Sequence, residues 1–394
     1  MERIGIYGGT FNPPHIGHLR GAAQAITALN LDKLILIPDR IAPHKQIPSG
    51  SPTPEQRLEM LRIAASHYEK MEVSDLELKR EGPSYSYITV EQMHELYPDA
   101  KLYLLMGTDM FTSFLTWRNP ERILSKAALA VMSRGERGEA AAIEAQKRTI
   151  EAMGYEAEVI ENHVTAISST QLRRLLAFRC AGEFLPEGVL DYIREHRFYD
   201  TRANWKNLPM EELERVVISL LNPNRVNHVL GCRDTAVDLA RHWGADETDA
   251  ARAGILHDIT KAIDGPLQLT LCDAYGKILS DFSRKYPKTL HALTGSMVAE
   301  RIFGENEEVV SAIQWHTTGK ADMTLLEKII YLADYIEPTR TFCDLTELRR
   351  LAFEDLDRAL LLGFTMAVED LGKKGMAVHP NSVYARDYLK GSLT

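Results

Sequence analysis

The chain has 394 residues, 45% hydrophobic and 26% charged, with 25 Gly and 17 Pro. That globular composition excludes disordered, collagenous and low-complexity classes, and the length exceeds what one core usually supports. A formal net charge of −9 argues against a broad nucleic-acid surface and leaves room for a local site that takes a small phosphorylated ligand. The cysteines Cys180, Cys232, Cys272 and Cys343 form no CxxC pair and read as reduced thiols. The opening MERIGIYGGTFNPP lacks a signal-peptide apolar region, and no apolar run reaches the roughly 18 residues of a spanning helix. We therefore expect a cytoplasmic protein with no membrane segment.

In chain order, residues 3–7 read as a short apolar strand entering a Gly-Gly turn, 17–29 as a helix and 33–38 as a second buried strand. The runs 101–107 and 127–132 read as strands, 143–153 as a helix, 155–160 as a strand, and 170–178 and 190–196 as helices. Strands alternating with helices predict an α/β fold, a doubly wound parallel sheet with ligands at its C-terminal edge. Residues 200–209 read as a linker. Helical periodicity then recurs at 210–221, 226–243, 246–259, 289–303, 307–316, 325–336 and 356–366, which predicts an all-α second half. The expected domains are 1–200 and 207–394, with no internal repeat relating them.

Between the first strand and first helix lies Gly8-Gly9-Thr10-Phe11-Asn12-Pro13-Pro14-His15-Ile16-Gly17-His18. Gly8 and Gly9 allow close backbone approach to a phosphate, and the helix start offers N–H groups and a positive dipole end. His15 and His18 are three apart and can face one bound group. A lone loop histidine is usually just solvated; two bracketing a glycine after such a turn are far more specific. TFNPPHIGH resembles the (T/H)xGH signature of the nucleotidyltransferase superfamily, and GGTFNPPHIGHL resembles bacterial nicotinate mononucleotide adenylyltransferases. The resemblance extends through Pro43-His44-Lys45, Gly82-Pro83-Ser84-Tyr85, Gly107-Thr108-Asp109, Trp117-Arg118 and Ile167-Ser168-Ser169-Thr170-Gln171-Leu172-Arg173.

It implies a Rossmann-like domain that transfers adenylyl from ATP, carried with Mg2+, to nicotinate mononucleotide. His15 and His18 would bond the reacting phosphates, with Ser168, Thr170 and Arg173 at the ATP β/γ end and Ser169 among the nucleotide-binding residues. Lys45 would hold the mononucleotide phosphate, Gly8, Gly9, Thr10, Phe11, Gly107, Asp109 and Arg134 would line the nucleotide site, and Trp117 the nicotinate end. Ser86 stands where the family usually has threonine, which keeps the hydroxyl and drops a methyl. Nicotinamide mononucleotide or a related acceptor stays open.

The second half carries His228, His257-Asp258, His291, His316 and Asp334, which we expect within otherwise apolar helices. Imidazoles and carboxylates at such positions are costly unless paired or metal-bound. The order H…HD…H…H…D resembles HD-domain metal phosphohydrolases. Arg225-Val-Asn-His-Val-Leu-Gly231, Leu256-His-Asp-Ile-Thr-Lys261, His316-Thr-Thr-Gly319 and Leu332-Ala-Asp-Tyr-Ile-Glu-Pro338 are similar to the bacterial symmetrical diadenosine tetraphosphatase type. By that resemblance His228, His257, Asp258 and Asp334 would bind one ion and His291 with His316 a second, Asp258 bridging. Nitrogen and oxygen ligands without sulfur suit two transition-metal ions such as Fe or Mn. Such a pair activates water and clamps a phosphoanhydride. Lys261, three residues beyond Asp258, is placed on the same helical face, where it could meet substrate phosphate.

The expected whole is a bifunctional enzyme whose partners are small nucleotides: ATP, nicotinate mononucleotide and dinucleoside polyphosphates. No nucleic acid or membrane partner is expected, and a homo-oligomer is left open. A different class also stays open, in which the HD domain binds nucleotide and regulates the transferase without turnover.

Overall fold

The computed structural model describes residues 1–43, 47–48, 50–133, 138–161, 167–341 and 344–393. It divides into two compact units, Met1–Arg202 and Ala203–Thr394.

The first unit is the expected α/β sheet. Its elements run β1 (Arg3–Gly9), α1 (Ile16–Ala28), β2 (Lys33–Pro38), α2 (Pro54–Ala65), β3 (Met71–Val73), α3 (Ser86–Leu96), β4 (Lys101–Gly107), α4 (Thr108–Thr112), α5 (Pro120–Leu124), β5 (Ala127–Ser133), α6 (Glu139–Ala152), β6 (Ala157–Glu161), α7 (Ser169–Ala177) and α8 (Val189–Glu195). The strands order as β3-β2-β1-β4-β5-β6, and every neighbouring pair is parallel. Strands such as LILI and LYLLM are apolar without alternation because helices cover both faces. Ile4 and Ile6, Ile35 and Ile37, Leu102 and Leu104, and Leu129 and Val131 share one core cluster with Phe111 and Phe114. The chain winds outward from β1 through β3, then restarts on the other side of β1 with β4. That reversal opens a crevice beyond the strand ends, where α/β sheets bind ligands.

Five elements of this unit were not expected: the short helices α4 and α5, together with β3, α2 and α3. β3 has three residues, too few for a periodic signal, yet it extends the sheet through Leu34 opposite Met71. α2 is announced by a capping box, in which the Thr53 side chain takes the Gln56 N–H and Gln56 returns the bond, with proline at the helix start. α3 begins at Ser86, beside the cleft described below.

The second unit is helical, with no strand among the described residues. It comprises α9 (Met210–Leu220), α10 (Val226–Trp243), α11 (Glu247–Leu256), α12 (Gly265–Ala274), α13 (Asp281–Lys285), α14 (Leu290–Val298), α15 (Glu307–Trp315), α16 (Leu325–Ile336), α17 (Thr346–Glu354), α18 (Leu356–Lys373) and α19 (Pro380–Leu393). α14 continues as a wider π turn, Ala299–Phe303. α10 packs on both α11 and α16. Gly254 permits the first contact, since a Cβ there would lie 2.7 Å from the Arg233 Cα.

Residues 200–209, read as a linker, contain the boundary between the units, and each side of it is held within its own unit. In the first unit the Thr201 carbonyl accepts from Arg179 Nη1. In the second, Trp205 stacks on Phe303 with centroids 5.7 Å apart, the Asn207 N–H bonds the Phe303 carbonyl at 2.9 Å, and Arg252 donates to the Leu208 carbonyl at 2.8 Å.

Candidate nucleotide cleft and candidate metal centre

The loop after β1 is held from outside by side-chain donors. Arg57, fully buried on α2, gives Nη1 to the Thr10 carbonyl at 2.5 Å and Nη2 to the Asp39 carbonyl at 2.7 Å. It also pairs with Asp39 Oδ1 at 3.1 Å, while Thr10 Oγ1 donates to Asp39 Oδ2 at 2.7 Å. From α7, Arg173 donates to the Asn12 carbonyl at 2.7 Å and Ser169 Oγ to the Pro13 carbonyl at 3.1 Å. With those carbonyls engaged, the loop offers an incoming anion chiefly its N–H groups.

His15 caps α1, and its backbone N–H donates to His18 Nδ1 at 3.2 Å. The two rings stack with centroids 3.6 Å apart. Gly8 has open space where a Cβ would stand, meeting only the Ile37 carbonyl at 4.0 Å, so a side chain here would project beyond the strand rather than into the core.

A cleft of about 1170 Å³ lies over the reversal between β1 and β4. The loop residues Gly8, Gly9, Thr10, Phe11, His15 and His18 line it, and Gly107 and Asp109 come from the end of β4. Ser86 enters from α3, Trp117 from the segment before α5, and Ser168, Ser169, Thr170 and Arg173 from the start of α7. Each expected residue of this half that the structure describes thus faces one cavity. Lys45 and Arg134 lie outside the described residues.

The three hydroxyls at the start of α7 are not equivalent. Ser168 is the N-cap of α7 and accepts the Gln171 N–H at 3.2 Å. Ser169 is committed to Pro13, and Thr170 Oγ1 accepts from Arg173 at 3.2 Å. Sequence reading missed Arg57, Asp39 and Glu77. Asp39 and Glu77 also line the cleft, and burial raises the Glu77 carboxyl above its ordinary pKa against hydrogen bonds from Thr89 and Ser84.

In the second unit the six expected metal ligands converge. His228 Nε2 lies 3.1 Å from Asp334 Oδ1 and 3.3 Å from His257 Nε2. Asp258 divides its oxygens: Oδ2 is 3.5 Å from His257 Nε2 and 3.8 Å from His228 Nε2, and Oδ1 is 3.4 Å from His291 Nε2 and 3.7 Å from His316 Nε2. Two triplets, His228-His257-Asp334 and His257-Asp258-His316, place their ligand atoms within 4.8 Å of one another.

His228, His291 and Asp334 lie within helices α10, α14 and α16 as expected, whereas the other three correct that expectation. His257 and His316 are the C-caps of α11 and α15, and Asp258 and Lys261 lie in the turn that follows α11. The helix ends explain the choice, because last-turn carbonyls lack intrahelical donors. His257 Nδ1 donates to the Gly254 carbonyl and His316 Nδ1 to the Ile313 carbonyl, both at 2.7 Å. His291 Nδ1 donates to the Lys288 carbonyl and His228 Nδ1 to Glu337 Oε1, both at 2.9 Å.

All four Nδ1 atoms are therefore committed to acceptors, and each Nε2 faces inward, the orientation of a metal-ligating histidine. His228 and His257 meet Nε2 to Nε2, an approach reconciled by a proton or a cation between them, and, against burial, Cys232 and Asp258 raise the His257 ring well above its ordinary pKa. The buried Asp258 Oδ1 accepts no hydrogen bond among the described residues. Burial pushes Asp258 up, but the His257 and His316 rings and Lys261 outweigh it and hold it well below the carboxylate range. Burial and the nearby Lys261 ammonium push His291 down to about 3, keeping it neutral. The donor set fits divalent metal.

Cations stand around these ligands. Arg225 Nε donates to Asp258 Oδ2 at 2.6 Å, Arg340 pairs with Asp334, and Lys261 Nζ lies 2.9 Å from His291 Nε2. Glu337, Arg225 and Arg340 were not singled out from sequence, although all three lie in or beside the quoted motifs. Thr317 was also missed; its hydroxyl stands 3.1 Å from both His291 and His316.

Comparison with known proteins follows the same division. The cytidylyltransferase-like family model matches residues 6–175 and the HD domain model residues 225–339. The "probable nicotinate-nucleotide adenylyltransferase" of Pseudomonas syringae pv. tomato is 37% identical over 210 residues, covering 50% of this chain and 94% of the relative. The chain belongs to the nicotinate-nucleotide adenylyltransferase family. The Bacillus licheniformis member is 34% identical over 208 residues, with 51% of this chain and 100% of the relative covered. Family members thus align with the first half, and the HD domain is fused behind it. A Clostridium acetobutylicum structure, described as a "predicted HD superfamily hydrolase involved in NAD metabolism", is 39% identical, covering 47% of this chain and 98% of its own, with a TM-score of 0.46. The Plasmodium falciparum nicotinic acid mononucleotide adenylyltransferase complexed with NaAD is 20% identical, covering 51% and 99%, with a TM-score of 0.43. Among the described residues no helix is long and apolar enough to cross a membrane.

Proposed function

We propose that the first unit transfers the adenylyl group of ATP to nicotinate mononucleotide, giving deamido-NAD and pyrophosphate. A phosphate oxygen of the mononucleotide attacks the ATP α-phosphorus in line, and the bond to the bridging oxygen breaks with pyrophosphate as leaving group. No covalent enzyme intermediate is required, so positioning and charge stabilisation supply the rate. His15 and His18 serve the reacting phosphates, and Thr170 and Arg173 the β/γ end. Gly107 and Asp109 serve the nucleoside, and Ser86 and Trp117 the pyridine. Lys45 and Arg134 are assigned to the acceptor phosphate and the nucleotide, and ATP enters with its Mg2+. The observation that carries this reading is the loop after β1, with its carbonyls engaged from α2 and α7 and its stacked histidines facing the cleft.

For the second unit we propose hydrolysis of dinucleoside polyphosphates, as of diadenosine tetraphosphate and water to two ADP. His228, His257, Asp258 and Asp334 would hold one divalent ion, and His291 and His316 a second with Asp258 between them. Such ions supply activated water and charge neutralisation at the phosphoanhydride. The supporting observation is Asp258, with one oxygen toward each histidine pair. Arg225, Lys261 and Arg340 supply positive charge for the substrate's phosphates.

A product assay of the intact chain against a panel of mononucleotides with ATP, and of dinucleoside polyphosphates with added Mn2+ or Fe2+, tests both readings. Deamido-NAD with pyrophosphate supports the first, and ADP from diadenosine tetraphosphate the second. Absence of either product rejects the corresponding reading.

A further inference from the structure

The last residues of the first unit hold an unfavourable backbone. Arg197, Tyr199 and Asp200, none of them glycine, have φ of 58°, 55° and 57°, the left-handed region that L side chains enter at a cost. Such segments persist where surrounding contacts over-determine them, and they concentrate at functional sites. What this one positions is a phenol. Tyr199 is 8% exposed, and its hydroxyl donates to Asn12 Oδ1 at 2.6 Å across 187 residues of sequence. Burial raises the phenol far above its ordinary pKa, so it stays a donor.

Asn12, itself 4% exposed, is where several constraints meet. Its carbonyl accepts Arg173 Nη1 at 2.7 Å, and its Nδ2 donates to Ser51 Oγ at 3.1 Å. The same peptide therefore touches the guanidinium assigned to the ATP phosphates and, through its side chain, the phenol. Without the hydroxyl, Asn12 Oδ1 would sit buried with no donor from Tyr199, and the amide would turn to recover one. Turning it exchanges the oxygen and nitrogen, breaks the Ser51 bond and frees Asn12 from the side-chain anchors that fix the backbone carbonyl holding Arg173.

We infer that Tyr199 is a positioning residue for adenylyl transfer: acting through Asn12, it sets where Arg173 stands at the phosphate end of the cleft. The inference rests on the reading proposed for the first unit. It assigns a catalytic consequence to the far end of that unit, beyond the Ser168–Arg173 motif that closes the quoted resemblance.

Tyr199→Phe keeps the ring and removes only the hydroxyl. Steady-state kinetics on the full chain should show kcat/KM for ATP falling roughly tenfold, the scale of one buried hydrogen bond. KM for nicotinate mononucleotide should stay within about twofold, and Tm should fall by only a few degrees, since ring packing is retained and one buried acceptor loses its donor. In an Asn12→Ala background the same substitution should add less than about twofold, because coupled residues are non-additive. An equal loss in both backgrounds, or a lowered Tm with unchanged ATP parameters, overturns the inference in favour of plain packing. ATP affinity by calorimetry, for wild type and Tyr199→Phe, separates the two levels. If wild type makes no deamido-NAD, the proposed reaction fails, and an unchanged ATP Kd in the variant overturns the role of Tyr199 independently.

Discussion

His15 and His18 lie face to face, their rings 26° from parallel with centroids 3.6 Å apart, and the His15 backbone N–H donates to His18 Nδ1. Because Nδ1 is an acceptor, the neutral His18 ring carries its proton on Nε2, as a donor for a phosphate oxygen. His18→Ala should lower kcat for adenylyl transfer by about 10²-fold or more, the scale of losing one oxyanion donor. Hydrolysis by the second unit should be unaffected. Initial rates of pyrophosphate release, with Tm as a fold control, check this; near-wild-type transfer would remove His18 from the mechanism.

Arg57 should matter more to stability than an exposed arginine would. Arg57→Met takes the guanidinium from two carbonyls and from the Asp39 carboxylate, which keeps the Thr10 hydroxyl, and breaking a buried pair from one side costs about 3–5 kcal/mol. Arg57→Lys should recover only part, because one ammonium cannot reproduce the spread of a guanidinium. Denaturant unfolding followed on the first unit decides it; a loss under about 1 kcal/mol for the methionine variant would contradict the pairing.

In the metal centre, the two halves of Asp258 make a graded prediction. Asp258→Ala removes an anionic ligand from both histidine pairs and should release most bound metal and abolish dinucleoside polyphosphate hydrolysis. His291→Ala should deplete one ion only, leaving roughly half the metal, as expected where a single ligand of one site is lost. Elemental analysis of wild type and both variants gives the answer. A metal-free wild type with full hydrolytic activity would sink the two-ion reading.

Glu77 gives a pH signature. Its folded pKa is raised, chiefly by burial, so the folded state retains a proton that the unfolded chain releases from its ordinary value near 4.5 upward. Stability from this group is present below that value and is lost as pH rises through the folded pKa. Glu77→Gln keeps the carbonyl that accepts from Thr89 and carries no charge. The variant should match wild type near pH 4 and melt higher above the folded pKa. Melting curves across that range test it, and parallel profiles would dismiss it.

Ser86 begins α3 at the cleft wall. Serine keeps the hydroxyl and drops a methyl, so nicotinate mononucleotide should be preferred over the amide, with a wider margin in Ser86→Thr. Comparing kcat/KM for both acceptors in both proteins checks this. An unchanged or narrowed margin in the variant counts against it.

The sequence carried the sheet and the cluster of candidate metal ligands because both rest on local signals: apolar strands, a Gly-Gly turn, and histidines with aspartates in apolar surroundings. It did not carry what holds them in place. Arg57 meets Thr10 across 47 residues, Arg173 meets Asn12 across 161, and Glu337 meets His228 across 109, and no periodicity links such partners. Lys261 shows a second limit. Spacing placed it on a helix face, whereas α11 ends at Leu256 and a turn delivers its ammonium to His291. α12 and α19 went unread because proline and small or polar residues blur the apolar stripe that a helix usually displays.

Gly254, Lys288 and Ile313 give their carbonyls, and Glu337 its carboxylate, to imidazole protons. The consequence concerns supply rather than catalysis. With each Nδ1 proton already housed, ion entry displaces the proton that, against burial, Cys232 and Asp258 favour on the His257 ring, and requires none of the refolding on which zinc-dependent modules rely. A chelator should therefore strip this unit without unfolding it, and a different divalent ion should refill it in place. Occupancy then follows the availability and coordination preference of the ions at hand, so the metal found in a preparation records its growth medium as much as its sequence.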